Sequence, residues 1–394
     1  YATPLLRRDP AVLRLTGVDG ELVPRTRDDL MTVFASVVDR HDHVDTAIQA
    51  LRALRRRELF RIAMGDVAGV IGIDQVEQGL SDLATATIDA ALRIATGENP
   101  NTPPIGVIAM GRWGGGELGY SSDADCMFVV PDGVSDAELG AASAAVARMR
   151  ELLRLPGPDP TLEIDADLRP EGRDGALVRT LSSYITYYGR WSLTWESQAL
   201  LRAAAAAGDL ALAAALIDAI NPVRWPPDGL DDDGVRAIRK LKMRVDRERG
   251  GATRERDRDR ATINSRDLKL GPGGLADIEW TVQLEQLRHA AKVPELRVTS
   301  SRMALNALVK SGLFTPGAGA DLMAAWVMAS RMRNAIMLVR GRASDHIPTD
   351  AREIAAVALL LGYGKAGAST LLEDWARVSR RAVAVVDRYF WGLG

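Results

Sequence analysis

The segment 105–130 constrains this chain more than any other. Ile105-Gly106-Val107-Ile108-Ala109-Met110 is a short apolar run, rich in β-branched residues and closed by Gly111. That is the pattern of a buried strand. Gly111, Gly114, Gly115 and Gly116 then crowd one turn, followed by Ser121-Ser122-Asp123-Ala124-Asp125. A second apolar run, Cys126-Met127-Phe128-Val129-Val130, is closed by Pro131. Glycines lack Cβ atoms, so backbone N–H groups in such a turn can approach phosphate oxygens. Side chains two apart on a strand share a face, so Asp123 and Asp125 can aim two carboxylates at one site. Clustered carboxylates repel unless a hard cation lies between them, and Mg²⁺ takes such oxygen ligands. A phosphate-cradling turn beside an acidic pair is the equipment of nucleotidyl transfer, where metal neutralises triphosphate charge and aligns attacking and leaving oxygens.

The order strand, glycine turn, Ser-Asp-x-Asp, strand carries this reading. A lone glycine loop or a lone Asp-x-Asp would not. No Gly-Lys-Ser/Thr follows the glycines, so the turn is not a P-loop. The glycines also lack the G-x-G-x-x-G spacing of a dinucleotide site. Such a site needs a third acid from a neighbouring strand. Residues 161–168 alternate apolar and acidic positions, predicting a third strand with Glu163, Asp165 and Asp167 on one face. The plain alternative for that face is a solvated edge strand. Asp165 is the candidate third acid.

Around this core the chain reads as helical. Leu51, Leu54, Leu59, Ile62 and Val67 recur at helical spacing, and a second periodic run spans 72–96 before breakers at 97–104. Helix is predicted over 135–154 and over the alanine-rich stretch 196–220. The residues 221–229, with three prolines, are the best boundary in the chain. Beyond it, Leu322, Trp326, Ala329, Met332, Ile336 and Val339 form one face of a long helix, and Asp350 with Glu353 caps the next. Gly362 and Gly364 are placed to end that one. The expected organisation is a helical region at 1–103, a catalytic domain at 104–222 and a helical bundle at 223–394. The fold class is α+β, predominantly helical, with a small mixed sheet.

Composition narrows function further. At 394 residues the chain can build two to three cores, and 47% hydrophobic content argues against wholesale disorder. A net charge of −2 argues against a surface made to grip nucleic acid. The single thiol, Cys126, excludes a disulfide within the chain and points to a reducing, cytoplasmic compartment. Apolar runs stay well short of a membrane span. The start at Tyr1 has no secretory pattern, and a start at Tyr rather than Met reads as a fragment or processed chain.

The run Gly111-x-x-Gly114-Gly115-x-Glu117-Leu118-x-x-Ser121-Ser122-Asp123-x-Asp125 resembles the signature of the glutamine synthetase adenylyltransferase/deadenylylase family (GlnE), nucleotidyltransferases of the polymerase-β type. Residues 162–172, with Leu168-Arg169-Pro170, are similar to the family strand that bears the third metal-binding acid, which places that role on Asp165. Tyr187-Tyr188-Gly189-Arg190-Trp191, then Thr194-Trp195-Glu196 and Gln198-Ala199-Leu200, resemble its aromatic helix motif. The run from Asp267 through Lys269, Gly271, Gly273, Gly274 and Asp277 to Glu279 resembles the loop opening its helical region. There are departures. Arg112 stands where lysine is usual, Trp113 where an aliphatic residue is usual, Gly116 where a charge is frequent and Asp167 where arginine is frequent.

The resemblance implies ATP as substrate and Mg²⁺, as two ions, on Asp123, Asp125 and Asp165. Gly111, Arg112, Gly114, Gly115 and Ser122 are expected around the nucleotide phosphates, and Lys269 either reaches the nucleotide from the second domain or sits in a plain helix-to-helix turn. The resemblance also implies transfer of AMP to a tyrosine of glutamine synthetase, with glutamine and a PII-type signalling protein as effectors. Family members carry two similar halves, one transferring AMP and one removing it by phosphorolysis, and 394 residues hold one. Gly119-Tyr120-Ser121-Ser122 resembles the transferring half more than the Asn-Phe-Ser-Ser of the removing half. The alternatives are the removing half, a catalytically idle domain that binds nucleotide or an effector, and transfer to RNA or a small molecule.

Other candidates read plainly. His41-Asp42-His43 lacks further ligands and reads as a solvated surface. Arg169 reads as an internal ion-pair partner, and Asp277 and Glu279 as local hydrogen-bonding acids. The mixed-charge run 244–260 reads as a solvated loop.

Overall fold

The two apolar runs that frame the glycines are strands in this computed structural model, which describes residues 1–17, 20–157, 159–249 and 266–393. β1 (Gly106–Ala109) and β2 (Ala124–Val130) pair antiparallel, with Ala109 opposite Cys126. Both are buried almost throughout, as strands covered on two faces must be. β3 (Ile164–Asp165) and β4 (Val178–Thr180) lie in succession along the far edge of β2, each parallel to it. β5 (Ala204–Gly208) pairs antiparallel with the other edge of β1. The order is β3-β2-β1-β5 with β4 beside β2, a small mixed sheet in a predominantly helical α+β chain.

Helices α1 (Ala2–Arg8), α2 (Arg27–Val38), α3 (Val44–Val67) and α4 (Ile73–Gly97) precede the sheet. A single turn, α5 (Gly111–Gly114), follows β1, and α6 (Asp136–Arg154) follows β2. Ser135 starts α6 with a capping box: its hydroxyl accepts from Glu138 N–H, and the Glu138 carboxylate accepts from Ser135 N–H. These helices share one core with one face of the sheet, from Leu51 and Leu83 to Val107, Phe128 and Val130. After β4 come α7 (Leu181–Arg190), α8 (Thr194–Leu200) and α9 (Leu210–Arg224). The second sheet face, Ile108, Met110, Met127 and Val129, packs on Tyr184, Tyr188, Leu216 and Ile220 from α7 and α9.

Among the described residues, the α-helices that follow are α10 (Asp232–Arg249), α11 (Leu275–His289), α12 (Ser301–Lys310), α13 (Pro316–Arg340), α14 (Ala351–Leu360) and α15 (Ala368–Val386). They enclose a core of their own, in which Leu322, Trp326, Ala329, Met332 and Ile336 of α13 are buried as the periodicity predicts. Asp350 caps α14 through the N–H groups of Arg352 and Glu353, and Gly362 and Gly364 follow with positive φ. Cys126 is buried inside β2. No helix among the described residues is long and apolar enough to cross a membrane.

Four expectations change. The strand predicted over 161–168 is reduced to Ile164–Asp165. The Asp165 carboxylate accepts Asp167 N–H (2.7 Å), and Arg169 donates to the carbonyls of Ala166, Arg173 and Gly175, which gathers the chain into a turn. The helix predicted over 196–220 is split by β5, because the open edge of β1 takes hydrogen bonds that outweigh alanine propensity. Gly208 (φ +66°) ends that strand, and Asp209 caps α9 through Leu212 N–H. The break expected at 221 comes later, since α9 runs through Pro222 to Arg224. Of the mixed-charge run 244–260, the part up to Arg249 ends α10, whereas 250–260 lies outside the described residues.

Candidate active site

The parallel register of β2 and β3 sets Asp125 directly beside Asp165. Asp123 stands one residue before β2. One carboxylate oxygen from each of the three lies within 4.8 Å of the others, the only such acidic, histidine or cysteine group found among the described residues. The Asp125 carboxyl is pushed up to about 7, first by burial and then by Asp123 and Asp165, while Lys269 and Arg202 pull it down. Acids crowded in this way are relieved by a hard cation, and three converging oxygens suit Mg²⁺.

The glycine turn is shaped by what lies beneath it. Gly111 has φ +53°, and a Cβ there would meet the Asp125 carboxylate oxygen at 2.1 Å. The first glycine therefore lets the turn lie against the acid. A Cβ on Gly114 would strike the Arg202 carbonyl, and one on Gly115 the Arg202 guanidinium. Trp113 is buried and donates its indole N–H to Thr85 of α4 (3.0 Å), which pins the turn from behind. Gly111, Arg112 and the three acids line a cleft of about 1520 Å³. Gly114 and Gly115, expected at the nucleotide, instead line a separate cavity with Gln78 and Asp82 of α4.

The far wall of the cleft comes from the C-terminal helices. Lys269 lies exposed in the cleft, on a loop shaped by the Asp267 carboxylate, which accepts N–H bonds from Lys269 and Leu270 (both 2.8 Å). Asp277 accepts from Gly273 N–H (2.9 Å) and from Lys242 (2.7 Å), and so braces the same loop. Glu163 and Asp167 also line the cleft but are engaged by Arg154 and by Arg173.

Other residues expected at the nucleotide sit differently. The Ser122 hydroxyl accepts Gly119 N–H (3.0 Å) and closes the 119–122 loop. Arg112 borders the cleft, but its guanidinium lies over Trp326, donates to Ser330 and stands 3.8 Å from both Glu77 and Glu279. Its positive charge is directed into a buried junction. Sequence reasoning missed Arg202, which backs the glycines, reaches the field of Asp125 and binds Glu279 (3.0 Å). An isolated arginine ahead of an alanine run gives no signal in sequence. Arg169 donates to three backbone carbonyls, with Asp167 at 3.8 Å. His43 stands at the start of α3, with no metal-binding group around it among the described residues.

A small mixed sheet that carries three acids beside a glycine turn, embedded in helices, defines a nucleotidyltransferase core. Residues 2–218 match the family model described as glutamate-ammonia ligase adenylyltransferase, and the chain belongs to that family. Residues 239–393 match a model described as PII-uridylyltransferase. Three relatives named bifunctional glutamine synthetase adenylyltransferase/adenylyl-removing enzyme are similar to it. That of Cutibacterium acnes is 49% identical over 99% of this chain and 39% of its own length. Those of Streptomyces coelicolor and Mycolicibacterium smegmatis are 47% and 44% identical, over 99% and 100% of this chain and 40% and 39% of theirs. The chain thus spans about two fifths of the length of these relatives.

Proposed function

We propose that this chain transfers AMP from ATP to a tyrosine of glutamine synthetase in the cytoplasm and releases pyrophosphate, as one half of a longer bifunctional enzyme. Residues 104–222 act as the catalytic domain, between helical regions 1–103 and 223–394. The observation that carries the reading is the convergence of Asp123, Asp125 and Asp165 within 4.8 Å beside the glycine turn. The sequence Gly119-Tyr120-Ser121-Ser122, which resembles the transferring half, supports transfer over removal.

Asp123, Asp125 and Asp165 are the residues that hold Mg²⁺. Bound there, the metal supplies charge neutralisation for the triphosphate. Where the turn borders the cleft, the backbone N–H groups of Gly111 and Arg112 meet the phosphates. Lys269 adds positive charge from the opposite wall. A tyrosine hydroxyl ionises near pH 10, so it arrives protonated. Asp165 accepts that proton as the phenolic oxygen attacks the α-phosphorus. The bond from the α-phosphorus to the bridging oxygen breaks, and pyrophosphate leaves with its electron pair. Regulation by glutamine and a PII-type protein acts through the helical region, whose match to a PII-modifying enzyme family supports such a partner.

The test is incubation with labelled ATP, Mg²⁺ and glutamine synthetase. Label on a synthetase tyrosine with release of pyrophosphate is expected, and Asp123→Asn or Asp165→Asn should abolish it with the fold intact. Formation of ADP from phosphate and modified synthetase would assign the chain to removal instead. ATP binding without any transfer would reduce it to a nucleotide-binding regulator.

A further inference from the structure

Six charged residues close a ring around the back of the cleft, and the chemistry of the triad uses none of them. Glu117 Oε2 pairs with Arg202 Nη2 (2.5 Å), and Arg202 Nη1 with Glu279 (3.0 Å). Glu279 faces Arg112 at 3.8 Å, Arg112 faces Glu77 at 3.8 Å, and Glu77 faces Arg302 at 3.4 Å. Arg302 closes the ring through its backbone N–H, which donates to Glu117 Oε1 (3.2 Å). Acids and arginines alternate, three of each, so the ring is neutral when all are ionised. Its members come from α4, the glycine turn, the α8–β5 link, α11 and α12.

Glu117 is the hub. Its side chain is 0% exposed. Besides Arg202, it accepts from the Ser300 hydroxyl (2.8 Å) and from Arg302 N–H, both at the N-terminus of α12. A carboxylate from the glycine turn thus caps a helix of the C-terminal core. Through Arg202 it also reaches Glu279 on α11, the helix that starts directly after the Lys269 loop. Arg202 in turn underlies Gly114 and Gly115. Burying charges is costly, and an apolar cluster of the same volume would stabilise at least as well. What directional pairs add is a unique register between the parts they join.

We infer that Glu117 is a positioning residue. It clamps the glycine turn to α11 and α12, and so sets Lys269 opposite Asp125. The activity part of the test rests on the adenylyl-transfer reading; the exchange part does not.

The test compares wild type with Glu117→Gln, which keeps the side-chain volume but loses the charge. Hydrogen exchange at the Arg302 and Met303 amides should quicken about tenfold in the variant. Titration with Mn²⁺ alone should keep its stoichiometry, with affinity within about twofold, because all three acids lie in the sheet region. AMP transfer should lose about tenfold in kcat with little change in the KM for ATP. In a Lys269→Ala background the same change should cost less than about twofold, since both act through one side chain. The inference is overturned by wild-type exchange and kcat in Glu117→Gln, by loss of Mn²⁺ stoichiometry, or by losses that multiply in the double variant. Should the wild type transfer no AMP, the adenylyl-transfer reading falls, and unchanged exchange at Arg302 and Met303 would still refute the clamp.

Discussion

Glu77 offers the sharpest electrostatic prediction. Its side chain is 1% exposed on α4, and its carboxyl is pushed up to about 7 from an ordinary 4.5. Burial is the main cause and Glu117 adds to it, while Arg112, Ser330 and Arg202 oppose it. Between those two values the folded protein keeps a proton that the unfolded chain has released. Unfolding free energy therefore falls as pH rises from 4.5 to about 7, and the dependence ends above that. The displacement is 7 minus 4.5, about 2.5 units, which at 1.36 kcal/mol per unit comes to ~3 kcal/mol. Glu77→Gln holds a neutral side chain of the same shape at every pH and removes this dependence. Urea unfolding of both proteins, followed by circular dichroism from pH 5 to 8.5, measures the difference. The stability of the variant relative to wild type should climb by ~2.5 kcal/mol between pH 5 and 7.5 and then level off. Taking the difference cancels other raised acids, such as Asp66 and Asp82. A difference that stays flat across the range, or falls with pH, would refute the reasoning.

Four further outcomes follow from packing and charge. Gly114→Ala places a Cβ 1.8 Å from the Arg202 carbonyl oxygen and 2.7 Å from that of Ala109, both backbone atoms, and should destabilise by ~2 kcal/mol or more in thermal unfolding. Gly140→Ala, in α6 with open space around it, should instead stabilise by ~0.5–1 kcal/mol. Asp125→Asn relieves like-charge crowding, so the variant in chelator should melt no lower than wild type. It should also lose the gain from saturating Mg²⁺, which for wild type amounts to ~2.7 kcal/mol at a hundred times Kd. Leu51→Ala, fully buried between the N-terminal helices, should cost ~2–5 kcal/mol in denaturant unfolding with no change in Mn²⁺ stoichiometry.

Much of the fold was legible because its signals are local. Both central strands, the helix over 135–154, the α13 stripe and the Asp350 cap follow from periodicity or from hydrogen bonds that close within a few residues. The readings that changed depend on partners far along the chain. The segment 204–208 has alanine composition and becomes a strand because β1 has an open edge. Glu163 and Asp167 alternate correctly with Asp165, yet the chain turns there, and arginines engage both. Arg112, a residue of the glycine turn, swings toward Trp326 and Glu279, more than 150 positions away, and sequence spacing carries no trace of that choice.

The sequence alone determined the kind of chemistry this chain can host. A strand, a glycine turn and Asp123-x-Asp125 put backbone donors and acids within one short stretch, because strand geometry and the missing Cβ atoms act over neighbouring residues. Tertiary structure decided what completes the site. Asp165 joins Asp125 through a parallel register, and Lys269 arrives from across the cleft. Arg202 and Glu117 fasten the turn to helices more than 150 residues later in the chain. Such contacts depend on how separate cores dock, and a buried charge goes wherever it finds an opposite charge and a hydrogen bond.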